Sequence, residues 1–185
     1  MKSISISLET EKNKNLDKIE KLFFDCRLDL ETRNIYQWDD SYPNRSYFTE
    51  KIENRELYVL KNKTELIGVF VLDEWQPIEW SNIQWSYTEG AYLVIHSFCI
   101  HPKQQSNGYG KAVLDFCEGL ATQRKYMGIR LDVFSKNDAS QKFYEKYGYE
   151  KKGEVIFKSK PVNNQVYFCF EKIITRNLSL KIGEI

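Results

Sequence analysis

The chain has 185 residues, enough for one ordinary domain with a real core, and its 42% hydrophobic and 15% aromatic content excludes wholesale disorder. Its net charge of +1 averages two unlike halves, with 12 Lys/Arg against 17 Asp/Glu up to residue 102 and 15 against 9 thereafter. The later cations are scattered rather than gathered into a stripe, which argues against a nucleic-acid surface, and no apolar run approaches the ~20 residues of a membrane span.

Residues 3–9 (SISISLE) alternate as a strand does, and residues 16–30 place Ile19, Leu22, Phe23, Cys26 and Leu30 at helical spacing. After the turn signals Pro43 and Asn44, residues 45–54 predict a second helix. ELYVLKN and LIGVFVLDE then predict a hairpin turning through Asn62, Lys63 and Thr64. Residues 75–90, polar and aromatic, predict a loop with room for a short strand, ahead of the strand AYLVIHSFCI. A helix follows from about Gly108 to Tyr126, with Ala112, Val113, Phe116, Cys117, Leu120 and Ala121 on one face. GIRLDVFS predicts a buried strand, DASQKFYEKY a short helix ended by Gly148, and YEKKGEVIF and QVYFCFEKI two closing strands. The sum is an α/β fold whose mixed central sheet is only partly parallel.

No apolar core of signal-peptide length opens the chain, so a cytoplasmic protein is expected. Cys26, Cys99, Cys117 and Cys169 lie far apart without CxxC spacing, and there are only two histidines; buried reduced thiols and no metal site are expected. Residues 64–102 hold no Lys or Arg, yet combine Asp73, Glu74, Glu79 and Glu89 with Trp75, Trp80 and Trp85, a composition suited to a cation.

The turn Gln105-Ser106-Asn107-Gly108-Tyr109-Gly110 lies between a strand and a helix N-terminus, where unpaired N–H groups and the peptide dipoles favour an anion. Gly108 and Gly110 let it approach the backbone, and Lys103 and Lys111 add charge. It is not a P-loop, because Lys111 is followed by Ala112 and Gln105 stands where the first glycine belongs. Nor does it spell the dinucleotide fingerprint, which finds Val113 at its third glycine.

The spelling instead resembles the Arg/Gln-x-x-Gly-x-Gly/Ala pyrophosphate loop of the GNAT superfamily of acyl-CoA-dependent N-acetyltransferases. Downstream, Asn137, Ser140, Tyr144, Lys146, Gly148 and Tyr149 match that superfamily's second motif in register, and the order of elements is similar from residue 3 to 173. The resemblance implies a single acetyltransferase domain over 1–173 with a tail over 174–185, and a sheet splayed between its fourth and fifth strands. The pantetheine arm of acetyl-CoA would pair there with the backbone of Phe98, Cys99 and Ile100, and the pyrophosphate would lie on residues 105–111, with Asn137 contacting the pantetheine or capping its helix. Tyr144 would protonate the departing thiolate.

An ammonium must lose a proton before it attacks. The resemblance offers a Glu early on the fourth strand, where this chain has Val94, so His96, two residues on, is the candidate base, with Glu89 and Glu79 as further candidates. Cys99 has the opposite alternation parity from His96 and reads as packing. Trp38, Asp39, Glu79 and Glu89, beside Tyr36 and Asp40, are candidates to hold a small cationic amine or peptide amine. The alternative is a non-catalytic acyl-CoA sensor or interaction module. By the same analogy, C-terminal edge strands are available to pair with a second copy as a homodimer.

Overall fold

A computed structural model describes residues 4–8 and 15–174. In chain order the elements are β1 (Ile4–Leu8), α1 (Leu16–Glu31), α2 (Arg45–Glu53), β2 (Leu57–Asn62), β3 (Glu65–Asp73), β4 (Tyr92–Ile100), α3 (Tyr109–Gln123), β5 (Gly128–Phe134), α4 (Asp138–Lys146), β6 (Glu150–Ile156) and β7 (Val166–Ile173). Every expected helix and strand is present. Residues 75–90 form no strand; they carry a short 3-10 turn at Ile78–Asn82 instead.

The strands form one seven-stranded sheet in the order β1-β2-β3-β4-β5-β7-β6, and β7 enters between β5 and β6. All pairs are antiparallel except β4–β5. One face is covered by α3 and α4, whose Val113, Leu114, Cys117, Ala121 and Tyr144 pack on Phe70, Leu93, Leu131 and Phe170. The other is covered by α1 and α2, where Ile19, Leu22, Phe23 and Cys26 meet Phe48, Val59, Val69 and Val71. Covered on both faces, β5 is buried along nearly its whole length, as its place in the parallel pair requires.

Two local features give the sheet its working shape. First, β4 and β5 pair only from Tyr92↔Gly128 to Val94↔Arg130, then run on to Ile100 and Phe134 unpaired to each other, so the sheet splays. Second, β4 carries a bulge. Val71 faces His96 and Val69 faces Cys99, so Phe70 opposes both Ser97 and Phe98, and Ser97 takes a φ of 47°. Ser97 Oγ is held by Tyr42 Oη at 2.8 Å and Tyr47 Oη at 3.2 Å.

The bulge corrects the alternation expected from sequence. Paired residues of an antiparallel ladder share a face, and Val69 and Val71 lie on one face, so Cys99 and His96 do too. Cys99 is nonetheless packing: it is 6% exposed beside Cys26, and burial pushes its thiol well up. All four cysteines are buried free thiols.

The acidic, tryptophan-rich segment does find a cation, but one from within the chain. Arg130 of β5 lies over the rings of Tyr92 and Trp85 at 3.5 and 4.2 Å and pairs with Glu171 at 3.0 Å, both side chains at most 5% exposed. Its other nitrogens donate to Gln76 Oε1 and the Tyr87 carbonyl, and Glu171 accepts from the Ser86 N–H, so the loop is tied to the sheet. Trp80 is buried in the core, and Glu89 is exposed.

Candidate active site

The splay between β4 and β5 opens into two cavities. The outer one, a groove of about 550 Å³, runs from the Gln104–Lys111 turn past Phe98–Ile100 to α4. The inner one, about 410 Å³, lies between β4, β5, the α1–α2 connection and the β6–β7 connection. Gln37, Trp38, Phe98, Ser140 and Tyr144 line both, so the cavities meet at those residues.

Of the residues expected along the groove, Phe98, Cys99, Ile100, Gln105, Ser106, Gly108, Tyr109, Gly110, Lys111 and Asn137 line it. Asn107 braces the turn instead, its amide donating to the Gln104 and Gln105 carbonyls at 3.1 Å. Tyr109 buries its ring in the core, 2% exposed, and contributes to the groove wall from the first residue of α3. Arg33, which sequence reasoning missed, and Lys146, which it placed in the second motif without a role, also line it.

The two glycines have different reasons. Gly108 caps α3 at φ 83°, with nothing within 4 Å of where a Cβ would stand, so the backbone is open to an incoming group and no side chain caps the first turn. Gly110 serves packing, since a Cβ there would meet Phe143 Cζ at 2.8 Å. Gly108→Val is therefore expected to weaken acetyl-CoA binding at least tenfold, by strain in the turn and by blocking its open face. Calorimetric titration checks this, and unchanged affinity would leave the turn a mere connector.

Along β4 the His101 N–H donates to Ile67 of β3, so the alternate groups of Phe98 and Ile100 point toward the open side. The Ile100 carbonyl is already engaged, accepting from Gln105 Nε2 at 3.0 Å and Cys26 Sγ at 3.5 Å. Of the three expected pairing positions, Phe98 is thus the one whose outward backbone lies at the junction. Asn137 is 3% exposed and caps α4, its Oδ1 accepting from the Ser140 N–H, while its Nδ2 donates to Gln37 Oε1 at 2.8 Å.

Tyr144 packs against Phe143 and Tyr149, and burial, with smaller contributions from Cys117 and Asp132, holds its phenol well above the ordinary range. It is protonated at neutral pH. His96 lines the inner cavity, and its Nε2 lies 3.2 Å from Asp73 Oδ1 and 3.1 Å from the Trp75 carbonyl. Both neighbours are acceptors, so Nε2 carries the hydrogen and Nδ1 is left as the basic nitrogen. Burial opposes ionisation of Asp73, but His96 and Lys51, the latter 2.8 Å away, outweigh it and keep the carboxyl below its ordinary pKa.

Asp132 is the residue that sequence reasoning missed. Continuing the parallel register past Val94↔Arg130 sets it opposite His96 on the same sheet face, and it lines the inner cavity. Burial pushes its carboxyl up to about 6, against the pull of His96 and Lys160. The signal in the sequence was a lone acid in an apolar strand, at the parity of Arg130. Trp38 and Asp39 line the same cavity; Trp38 packs edge-on against Phe23, and Asp39 turns the connection by accepting from Ser41 and Tyr42. Glu79 stands outside the lining yet acts on Asp132 electrostatically, while Glu89 lines neither cavity. Tyr36 is exposed, and Asp40 pairs with Arg27. Among the described residues, no group of three His, Cys, Asp or Glu is placed to hold a metal ion, and no helix is long and apolar enough to cross a membrane.

Known proteins share this architecture. The family model for the acetyltransferase (GNAT) family matches residues 16–149. An uncharacterised N-acetyltransferase of Bacillus subtilis, YesJ, is 29% identical over 152 residues, covering 79% of this chain and 78% of its own. A GNAT-family acetyltransferase from Streptococcus agalactiae superposes with a TM-score of 0.77 at 23% identity, over 92% of this chain and 95% of its own. The protein yncA of Salmonella typhimurium, solved with its cofactor acetyl-CoA, gives 0.67 at 12% identity, over 95% and 96%. The chain therefore belongs to the GNAT family of acetyltransferases, as an acetyl-CoA-dependent N-acyltransferase.

Proposed function

We propose that the chain transfers the acetyl group of acetyl-CoA directly to a primary amine, a small amine that arrives as a cation or the amine of a peptide. The observation that carries this reading is the meeting of the two cavities at Tyr144: one approached past a glycine turn open to phosphate, the other lined by a carboxylate and a histidine. Acetyl-CoA, when bound, supplies the thioester whose acetyl group is transferred.

The chain's own groups divide the work. The backbone of residues 105–110 binds the pyrophosphate, Arg33, Lys111 and Lys146 add positive charge along the groove, and the outward backbone of Phe98 orients the pantetheine arm. Asn137 positions this wall by holding Gln37 against the start of α4. Asp132 holds the ammonium at the junction, and His96 Nδ1 receives its proton, with Asp73 fixing the imidazole. Tyr144 Oη gives its proton to the departing sulfur.

The test is release of CoA thiol from acetyl-CoA across a panel of amines, amino acids and peptides, run on the wild type and on Tyr144→Phe. Amine-dependent release is expected. The variant should lose at least tenfold in kcat with the KM for acetyl-CoA within about twofold, because its contact strengthens as the thiolate forms. Release that does not depend on any amine would overturn the transferase reading, and an unchanged kcat would remove Tyr144 from the chemistry.

A further inference from the structure

Lys160 lies on the β6–β7 connection, half-buried, and lines the inner cavity. The connection is held in place, since Gln165 Nε2 donates to the Lys160 carbonyl at 2.9 Å and the Asn164 N–H to the Pro161 carbonyl at 2.7 Å. The ammonium itself is poorly partnered. Nζ reaches the Gln37 carbonyl at 3.4 Å and stands 5.0 and 5.3 Å from the ring centres of Tyr42 and Tyr167. Among the described residues it forms no ion pair, although Asp132 and Asp39 both act on it through space, and burial draws its pKa down.

Asp132 is in the mirror-image position: a carboxylate on the same cavity, hydrogen-bonded to nothing among the described residues and not paired with Lys160. Burying an unpaired charge costs free energy unless something else supplies the partner. Here two opposite charges face one cavity without closing on each other. A ligand with an ammonium and an acid at its two ends would satisfy both at once.

We propose that Lys160 binds a carboxylate of the acceptor, which makes the acceptor class amino acids and other short zwitterions, with the amine toward Asp132 and the acid toward Lys160. Which end reacts rests on the transferase reading above; the charge complementarity does not. A cavity of about 410 Å³ walled by Trp38, Tyr42, Phe157 and Tyr167 fits one residue with an apolar or aromatic side chain. A polyamine would set its second cation against Lys160.

Matched sets decide it: each amino acid, its amide and its decarboxylated amine, with spermidine as the outlier, assayed for CoA release and titrated calorimetrically into the protein saturated with CoA. The acids should show kcat/KM at least tenfold above their amides and decarboxylated partners. Lys160→Met should raise the KM of the acids at least tenfold, leave the decarboxylated amines within about twofold, and be rescued in large part by Lys160→Arg. Decarboxylated amines or spermidine used as well as the acids, or an acid KM indifferent to Lys160→Met, would overturn the proposal. If no amine is acetylated but acids bind in a Lys160-dependent way, the transferase reading falls and this one stands; if acids do not bind, this one falls.

Discussion

Asp132→Asn is expected to slow acetyl transfer about 100-fold in kcat/KM and, at the same time, to raise the melting temperature at pH 8. Loss of activity follows from removing the partner of a largely desolvated ammonium, an interaction worth about 2–4 kcal/mol when one member is truncated. The gain in stability follows from the carboxyl itself. Its pKa is raised from the ordinary 3.8 to about 6, so the folded chain binds more protons than the unfolded one between those values, and stability falls as pH rises through that window. Above pH 6 the cost is fully present. Discounted for water in the cavity, it is about 1–2 kcal/mol, or roughly 2–8 °C in a chain of this length. The stabilisation should therefore fade toward pH 4. Asp132 should contribute a fall in the wild-type kcat/KM below pH about 6, and the variant should lose that contribution. A variant that is both fully active and no more stable would show that Asp132 neither meets the substrate nor carries a charge at neutral pH.

The second large effect lies away from the chemistry. Arg130→Met leaves Glu171 buried with only Lys152, 3.9 Å away, as a cation beside it, and removes the donors that hold Gln76 and the Tyr87 carbonyl. Breaking one side of a buried pair costs about 3–5 kcal/mol, which predicts a melting temperature lower by roughly 6–20 °C. Replacing both members, Arg130→Met with Glu171→Met, should recover at least half of that loss, because the stranded charge goes with its partner. Circular dichroism melts of the two variants check this; a single variant melting within 2 °C of wild type would contradict it. The freed loop should also become the first site of limited proteolysis.

How much the sequence made legible depends on range. Helix and strand patterns depend on neighbours a few positions away, so α1, the β2–β3 hairpin and α3 were readable from spacing, and the Gln105–Gly110 turn was readable because its residues are contiguous. Asp132 and Lys160 gain meaning only when segments far apart in the chain are placed side by side; the local mark of Asp132, a lone acid in an apolar strand, does not say what it faces, and nothing local marks Lys160. The segment of Trp75, Trp80 and Trp85 was incomplete for the same reason: the cation that meets Trp85, Arg130, arrives from another strand, while Trp75 lines the inner cavity. The face of Cys99 was missed because a bulge carries no strong sequence mark; Ser97 is an ordinary strand residue until its partners on β3 are known.

That bulge also constrains how the family scaffold can vary. Position 97 is the residue that β4 carries beyond what its ladder with β3 needs. Deleting Ser97 would leave Phe98 alone opposite Phe70 with Cys99 still opposite Val69, so the ladder would run on in regular alternation, the later side chains keeping their faces while the bend and the hydroxyl that meets Tyr42 and Tyr47 are lost. Tolerance to change along this strand is thus unequal by place: at the bulge one residue can be lost without reversing the faces that follow, whereas loss or gain of one elsewhere on β4 turns the rest of the strand through half a pleat.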